Sequence, residues 1–124
     1  KQCLACSMLK KILTYVFGGV MVLAGLNHFM NPQIYDPFIP DFLPKLAVNY
    51  VTGVLEFALG VGAIIPSTRH LATLGILLLM VSFLPLHTID VFKDAPAIGS
   101  HQAALIRLPL QFVLILWAWW IWKG

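Results

Sequence analysis

Apolar residues along this chain fall into four long stretches, at about 12–29, 46–65, 71–87 and 103–122, separated by short polar segments. Each is close to the roughly 20 apolar residues that a helix needs to cross the hydrocarbon core of a bilayer. Their ends are punctuated. Asn31-Pro32 closes the first, Pro66-Ser67-Thr68-Arg69 separates the second from the third in a tight turn, and Asp90 to Ser100 supplies a polar connection before the fourth. The second and third stretches are thereby expected to form a helical hairpin. The pattern predicts an all-α protein, a four-transmembrane-helix bundle built as one domain over residues 1–124.

Composition strengthens this reading. The chain is 60% hydrophobic and only 10% charged, with a mean hydropathy of +0.87, whereas a soluble domain carries about 25% charge. Four crossings consume roughly 80 positions and leave no room for a second domain. The net charge of +3 is small and scattered. It forms no basic run or aromatic-basic interleaving that would follow a phosphate backbone, so no nucleic acid is expected among the partners; the lipid bilayer is the first of them.

Charge also orients the bundle. With four spans, Lys1, Lys10, Lys11, Arg69 and Lys123 fall on one side, while Lys45 and Lys93 share the other with Asp36, Asp41, Asp90 and Asp94. The excess of Lys and Arg predicts that both the N and C termini are cytoplasmic. The Lys-rich start and its apolar run are read as a retained signal anchor, because Ala24 to Phe29 offers no clear small-x-small cleavage site. The outer loop after the first span carries Pro32, Pro37, Pro40 and Pro44, with Tyr35, Phe38, Ile39, Phe42 and Leu43 between them. Prolines at that density forbid a regular helix, and the apolar residues avoid water, so a Pro-rich interfacial outer loop is expected, either lidding the bundle or only anchoring it.

Polar side chains at bilayer depth are costly, face the bundle interior and often mark a functional site. Glu56 lies near the middle of the second span, on one helical face with Gly53 and Gly60; small residues beside an acid indicate a close helix contact. In the fourth span Ala104, Arg107, Gln111 and Ala118 share a stripe. A buried Glu56 to Arg107 ion pair, steadied by the Gln111 amide, is the leading structural expectation, since pairing makes either charge tolerable. Gly18, Gly25 and His28 share a face of the first span beside Asn27, and His87 closes the third two residues past Pro85, which frees a carbonyl one turn earlier.

Polarity thus gathers in the outer half, and two readings stand side by side. In one, Asn27, His28, Glu56, His87, Arg107 and Gln111 line an outward-facing ligand-binding pocket for a small polar or quinone-like head group. In the other, they are polar glue between helices that have no hydrophobic drive to associate. A metal site built on His28, His87 and Glu56 is disfavoured because no two ligands have a diagnostic short spacing, and none is assigned.

Cys3 and Cys6 form a C-x-x-C pair before the first span and are the redox candidates, weighed against a plain juxtamembrane pair. No strand precedes them to build a thioredoxin-like site. Trp117, Trp119, Trp120 and Trp122 crowd the end of the fourth span beside Lys123, as an interfacial belt does, and they occupy several helix faces, as a contact with a partner subunit would require.

Gly25-x-Asn27-His28-Phe29 with Pro32, Pro40 and Pro44 in the loop, Gly53-x-x-Glu56, Arg69 in the tight turn and Arg107-Leu108-Pro109-Leu110-Gln111 together resemble the DoxX-like family of small four-helix integral membrane proteins. The resemblance covers nearly the whole chain; Cys3-x-x-Cys6 is a departure from it. It implies the same fold and, for function, membrane partners of redox systems, including a subunit like the membrane part of thiosulfate:quinone oxidoreductase, alongside assembly or trafficking factors. The expected function is an accessory or quinone-proximal subunit of a larger membrane-bound redox complex in the bacterial inner membrane. No intrinsic cofactor is expected, with quinone as the possible ligand, because no flavin, haem or nucleotide motif is present and electrons must come from other membrane protein subunits. The alternative is a non-enzymatic membrane scaffold or assembly factor that binds another membrane protein. A transporter is disfavoured, since four short helices show neither a repeat nor a broken-helix pair.

Overall fold

The computed structural model describes residues 3–123, and among them all regular structure is helical. Helix α1 spans Leu4–Met30, α2 Lys45–Ile64, α3 Arg69–Val91 and α4 His101–Lys123. All four are long and apolar enough to cross a membrane. Between α1 and α2 the chain makes two 3-10 turns, Pro32–Ile34 and Asp36–Phe38, each with proline in its first positions where a missing N–H costs nothing.

All but α2 are longer than their apolar runs. α1 begins at Leu4, well before Ile12, because Lys10 and Lys11 are good helix formers whose long stems can lie along apolar surface. α3 runs through Pro85 to Val91, and α4 through Pro109. Each proline removes one intrahelical bond, to Val81 and Leu105 respectively, without ending its helix.

α1 packs against α2, α2 against α3, α3 against α4, and α4 closes more loosely onto α1, so α2 and α4 lie across the bundle from each other. The closest seam is built from glycine. A Cβ on Gly25 would lie 2.6 Å from the Gly53 carbonyl oxygen, and one on Gly60 2.6 Å from that of Gly18. These two pairs, seven residues apart on each helix, let the backbones touch, which in lipid replaces the hydrophobic drive with van der Waals contact. Arg69 ties the α2–α3 hairpin. Its Nε donates to Ala63 O and its Nη2 to Ile64 O, both at 2.8 Å, covering carbonyls that the end of α2 leaves open.

The interior is divided along its length. Toward the chain termini it is mostly apolar, with Phe17, Met21, Ala63, Ala72, Ile76, Met80, Ala118 and Ile121 in one cluster and the buried Thr14 and Thr73 hydroxyls donating to carbonyls of their own helices. Toward the 3-10 turns it holds His28, Asn49, Glu56, Asp90 and Gln111, all buried. We refer to these as the terminal end and the loop end.

Candidate functional site

His28 is the hinge of the polar half. The Gly25–Gly53 contact draws α1 and α2 together so closely that Gly53 has only the Cβ of His28, the carbonyl of Gly25 and the ring of Phe29 around it. The imidazole therefore enters the seam instead of lipid, and is 5% exposed. Its ring stacks on Tyr35, with centroids 3.7 Å apart. Tyr35 is held in turn by Asn27, whose Nδ2 donates to its hydroxyl at 2.8 Å, while Asn31 donates to Asn27 Oδ1 at 2.8 Å.

Hydrogen bonding fixes which atoms of the ring face what. Asn49 Nδ2 donates to Pro32 O at 3.1 Å and to Asp36 Oδ1 at 2.9 Å, so its amide can turn only Oδ1 toward the histidine. The 3.1 Å contact from His28 Nδ1 to that oxygen makes Nδ1 a donor. On the other side, His28 Nε2 lies 3.2 Å from Glu56 Oε2. With Nδ1 already protonated, a neutral ring would face an ionised carboxylate lone pair to lone pair. A proton placed between Nε2 and Oε2 would join the two groups across this single contact. The two atoms are close but not aligned as a good hydrogen bond, and Glu56 Oε2 has no other partner.

The expected Glu56–Arg107 ion pair is not formed: Glu56 is paired with His28. The reason is geometric. α2 and α4 face each other across the bundle, whereas α1 adjoins α2. Glu56 also lies about 16 Å along α2 from its loop-end start and Arg107 only about 9 Å along α4, at about 1.5 Å per residue. Gln111 does not steady Arg107 either. It is fully buried, and its Nε2 donates to Met80 O at 2.6 Å, on α3. That carbonyl lies beside the one freed by Pro85, so the helix ladder is already open there.

The six expected pocket residues are thus split between two seams. Asn27, His28 and Glu56 belong to the α1–α2 seam, and Gln111 to the α3–α4 seam. His87 packs edge-on against Phe38, with ring centroids 5.7 Å apart, and lies within electrostatic reach of Arg107. Three buried polar atoms at this end have no hydrogen-bond partner: Glu56 Oε2, Arg107 Nη1 and Gln111 Oε1. Two accept and one donates. Among the described residues no three His, Cys, Asp or Glu side chains are grouped as a metal site requires.

Three participants escaped the sequence reading. Asn49 continues the Gly53, Glu56, Gly60 stripe one turn toward the loop, and that spacing was its available signal. Asp36 and Tyr35 are brought in by the 3-10 turns, which no periodicity announces. Buried Asp90 accepts backbone N–H bonds from Ala97 at 2.5 Å and Ile98 at 3.3 Å, pinning the α3–α4 connection. Cys3 and Cys6 are both free and exposed.

A family model described as "Domain of unknown function (DUF8561)" matches residues 17–122, and the chain belongs to that family. No curated protein and no solved structure matches it.

Proposed function

We propose that the protein is an integral membrane accessory subunit that receives a small polar, quinone-like head group at the loop end of its bundle and manages the proton that accompanies it. Both termini lie in the cytoplasm of a bacterial inner membrane, and the proline-rich loop rests in the outer interface over the site. What supports the orientation is the surplus of Lys and Arg at the terminal end. What supports the redox setting is the DoxX-like resemblance of the His28, Glu56, Arg107 and Gln111 segments.

The observation that carries the reading is the set of three buried atoms that make no hydrogen bond among the described residues, Glu56 Oε2, Arg107 Nη1 and Gln111 Oε1. A buried polar atom without a partner costs about 1–3 kcal/mol, and more when charged, so each calls for a partner. A head group with a carbonyl oxygen and a hydroxyl fits the donor and acceptor set. Arg107 would hold the carbonyl oxygen, and Gln111, one turn along the same helix, would accept from the hydroxyl. His28 and Glu56 would hold one exchangeable proton beside the site, and Asn49 with Asp36 keeps the histidine in the tautomer that directs it to Glu56. Electrons would be supplied by a partner subunit.

Glu56→Gln and Arg107→Gln variants test this. If they accumulate in the membrane as the parent does but lose head-group retention and the activity of the native complex, a chemical site is supported. If both disappear from the membrane, the polar residues serve the fold, and the protein is the scaffold of the alternative reading.

A further inference from the structure

The terminal end of the bundle has a chemistry of its own, apart from the polar cluster. Lys10, in the third turn of α1, places its Nζ 5.5 Å from the centre of the Trp120 ring on α4. Lys123, at the end of α4, places its Nζ 4.2 Å from the centre of the Trp119 ring. Both ammonium groups are thus seated on indole faces, where a cation is attracted to the ring quadrupole. Because Trp119 and Trp120 are neighbours near the end of α4, the two like charges sit at the same end of the bundle and repel.

Nothing in the described side chains offsets that repulsion. The acidic side chains are Asp36, Asp41, Glu56, Asp90 and Asp94. The first two belong to the α1–α2 connection, the last two to the loop end of α3 and the connection after it, and Glu56 is sealed against His28. Arg69, in the α2–α3 turn, is spent on the α2 carbonyls. Alongside, Trp117 packs its ring against Phe17 of α1 at 4.7 Å between centroids, and its indole N–H is buried without an acceptor. This is the α1–α4 seam, the loosest of the four. Two like-charged ammonium groups at the end of a loose seam call for an anion at headgroup depth, with an apolar remainder that can lie along the bundle.

We propose that Lys10 and Lys123, framed by Trp119 and Trp120, bind the phosphate of an anionic phospholipid at the terminal end of the α1–α4 seam. Its acyl chains lie against the exposed apolar surface that continues up α4 from Lys123, including Leu116 and Val113. The site is independent of the head-group reading at the loop end.

The test is lipid retention by native mass spectrometry of the whole chain, after equilibration in nanodiscs that mix phosphatidylcholine with phosphatidylglycerol. The protein should carry phosphatidylglycerol out of the disc in preference to phosphatidylcholine. Each basic residue near an anionic surface contributes about a fivefold preference, so Lys10→Gln with Lys123→Gln should lower it about twenty-fivefold. The double Lys→Arg variant should retain the preference, and Lys93→Gln, at the opposite end, should leave it unchanged. Excess inorganic phosphate should fail to displace the lipid. Equal retention of both lipids by the parent, an undiminished preference in the double Gln variant, or displacement by free phosphate would each overturn the proposal.

Discussion

Gly25 and Gly53 meet backbone to backbone across the α1–α2 seam: a Cβ on Gly25 would come within 2.6 Å of the Gly53 carbonyl oxygen, and one on Gly53 within 2.9 Å of that of Gly25. This contact brings His28 to Asn49 and Glu56. A single methyl at Gly53 has no flexible neighbour to push aside, since its contacts are the Cβ of His28, a backbone oxygen and the Phe29 ring. Gly53→Ala should destabilise the protein by about 1–3 kcal/mol, the usual range for overpacking. Gly19, on α1 beside the seam glycine Gly18 but with nothing within 4 Å of its missing Cβ, is the control. Gly19→Ala should be neutral or stabilising by up to about 1 kcal/mol, as helix propensity dictates. Unfolding in detergent separates the two.

The pairing of Glu56 with His28, and not with Arg107, predicts the outcome of two double-mutant cycles. His28→Gln and Glu56→Gln should each cost about 3 kcal/mol, because each leaves the other group buried and unpaired, and should couple by about 1–3 kcal/mol. Glu56→Gln and Arg107→Gln should add to within about 0.5 kcal/mol, as groups without a shared contact do. The reverse pattern would restore the ion pair that the sequence alone suggests.

The α2–α3 hairpin depends on the fork geometry of one side chain. Arg69 satisfies Ala63 O and Ile64 O and reaches the Tyr15 hydroxyl of α1 at 3.3 Å. Arg69→Gln should cost about 1–3 kcal/mol by leaving those carbonyls open. Arg69→Lys should recover little of it, since a single ammonium cannot hold separate acceptors in the guanidinium's plane. Thermal unfolding of the two variants beside the parent reads this directly.

How far the residues spoke for themselves can be judged from particular cases. Gly53, Glu56 and Gly60 on one face pointed to a close helix contact, though not to the helix across it, because small residues at helical spacing have little use in lipid except backbone contact. The lengths of α1 and α3 were underestimated, since hydropathy fades at Lys10 and Lys11 and punctuation reads a stop near Pro85, while the backbone continues helical through both. The choice of partner for Glu56 was not legible. Helical periodicity fixes which face a residue occupies but not which helix that face meets, and the adjacency of α1 with α2 decides it. Asn49, Asp36 and Tyr35 were hidden for a related reason: their roles arise from the 3-10 turns, whose path depends on the packed helices beneath them.

At the start of α1, Cys3 occupies the N-cap position, and its thiol is held below the ordinary value of 9.0 by the backbone N–H groups of Cys6 and Ala5, with the Cys6 side chain assisting. A depressed thiol pKa enlarges the thiolate fraction at lower pH. The alkylation rate of Cys3 should therefore reach half its maximum below pH 9.0, as measured by site-resolved mass spectrometry across a pH series. In the Cys6→Ser variant the midpoint should stay depressed, because the backbone donors remain. A midpoint at or above the ordinary value would contradict this.

The central claim, that the buried loop-end polar atoms await the head group of a membrane redox partner, is tested most directly by gentle extraction from the native membrane and mass spectrometry of what co-migrates. The account predicts recovery within a redox assembly together with a quinone-type lipid that the Glu56→Gln variant no longer carries. Recovery of the chain alone and free of such a ligand would contradict it and leave a free-standing membrane factor whose polar core serves the fold.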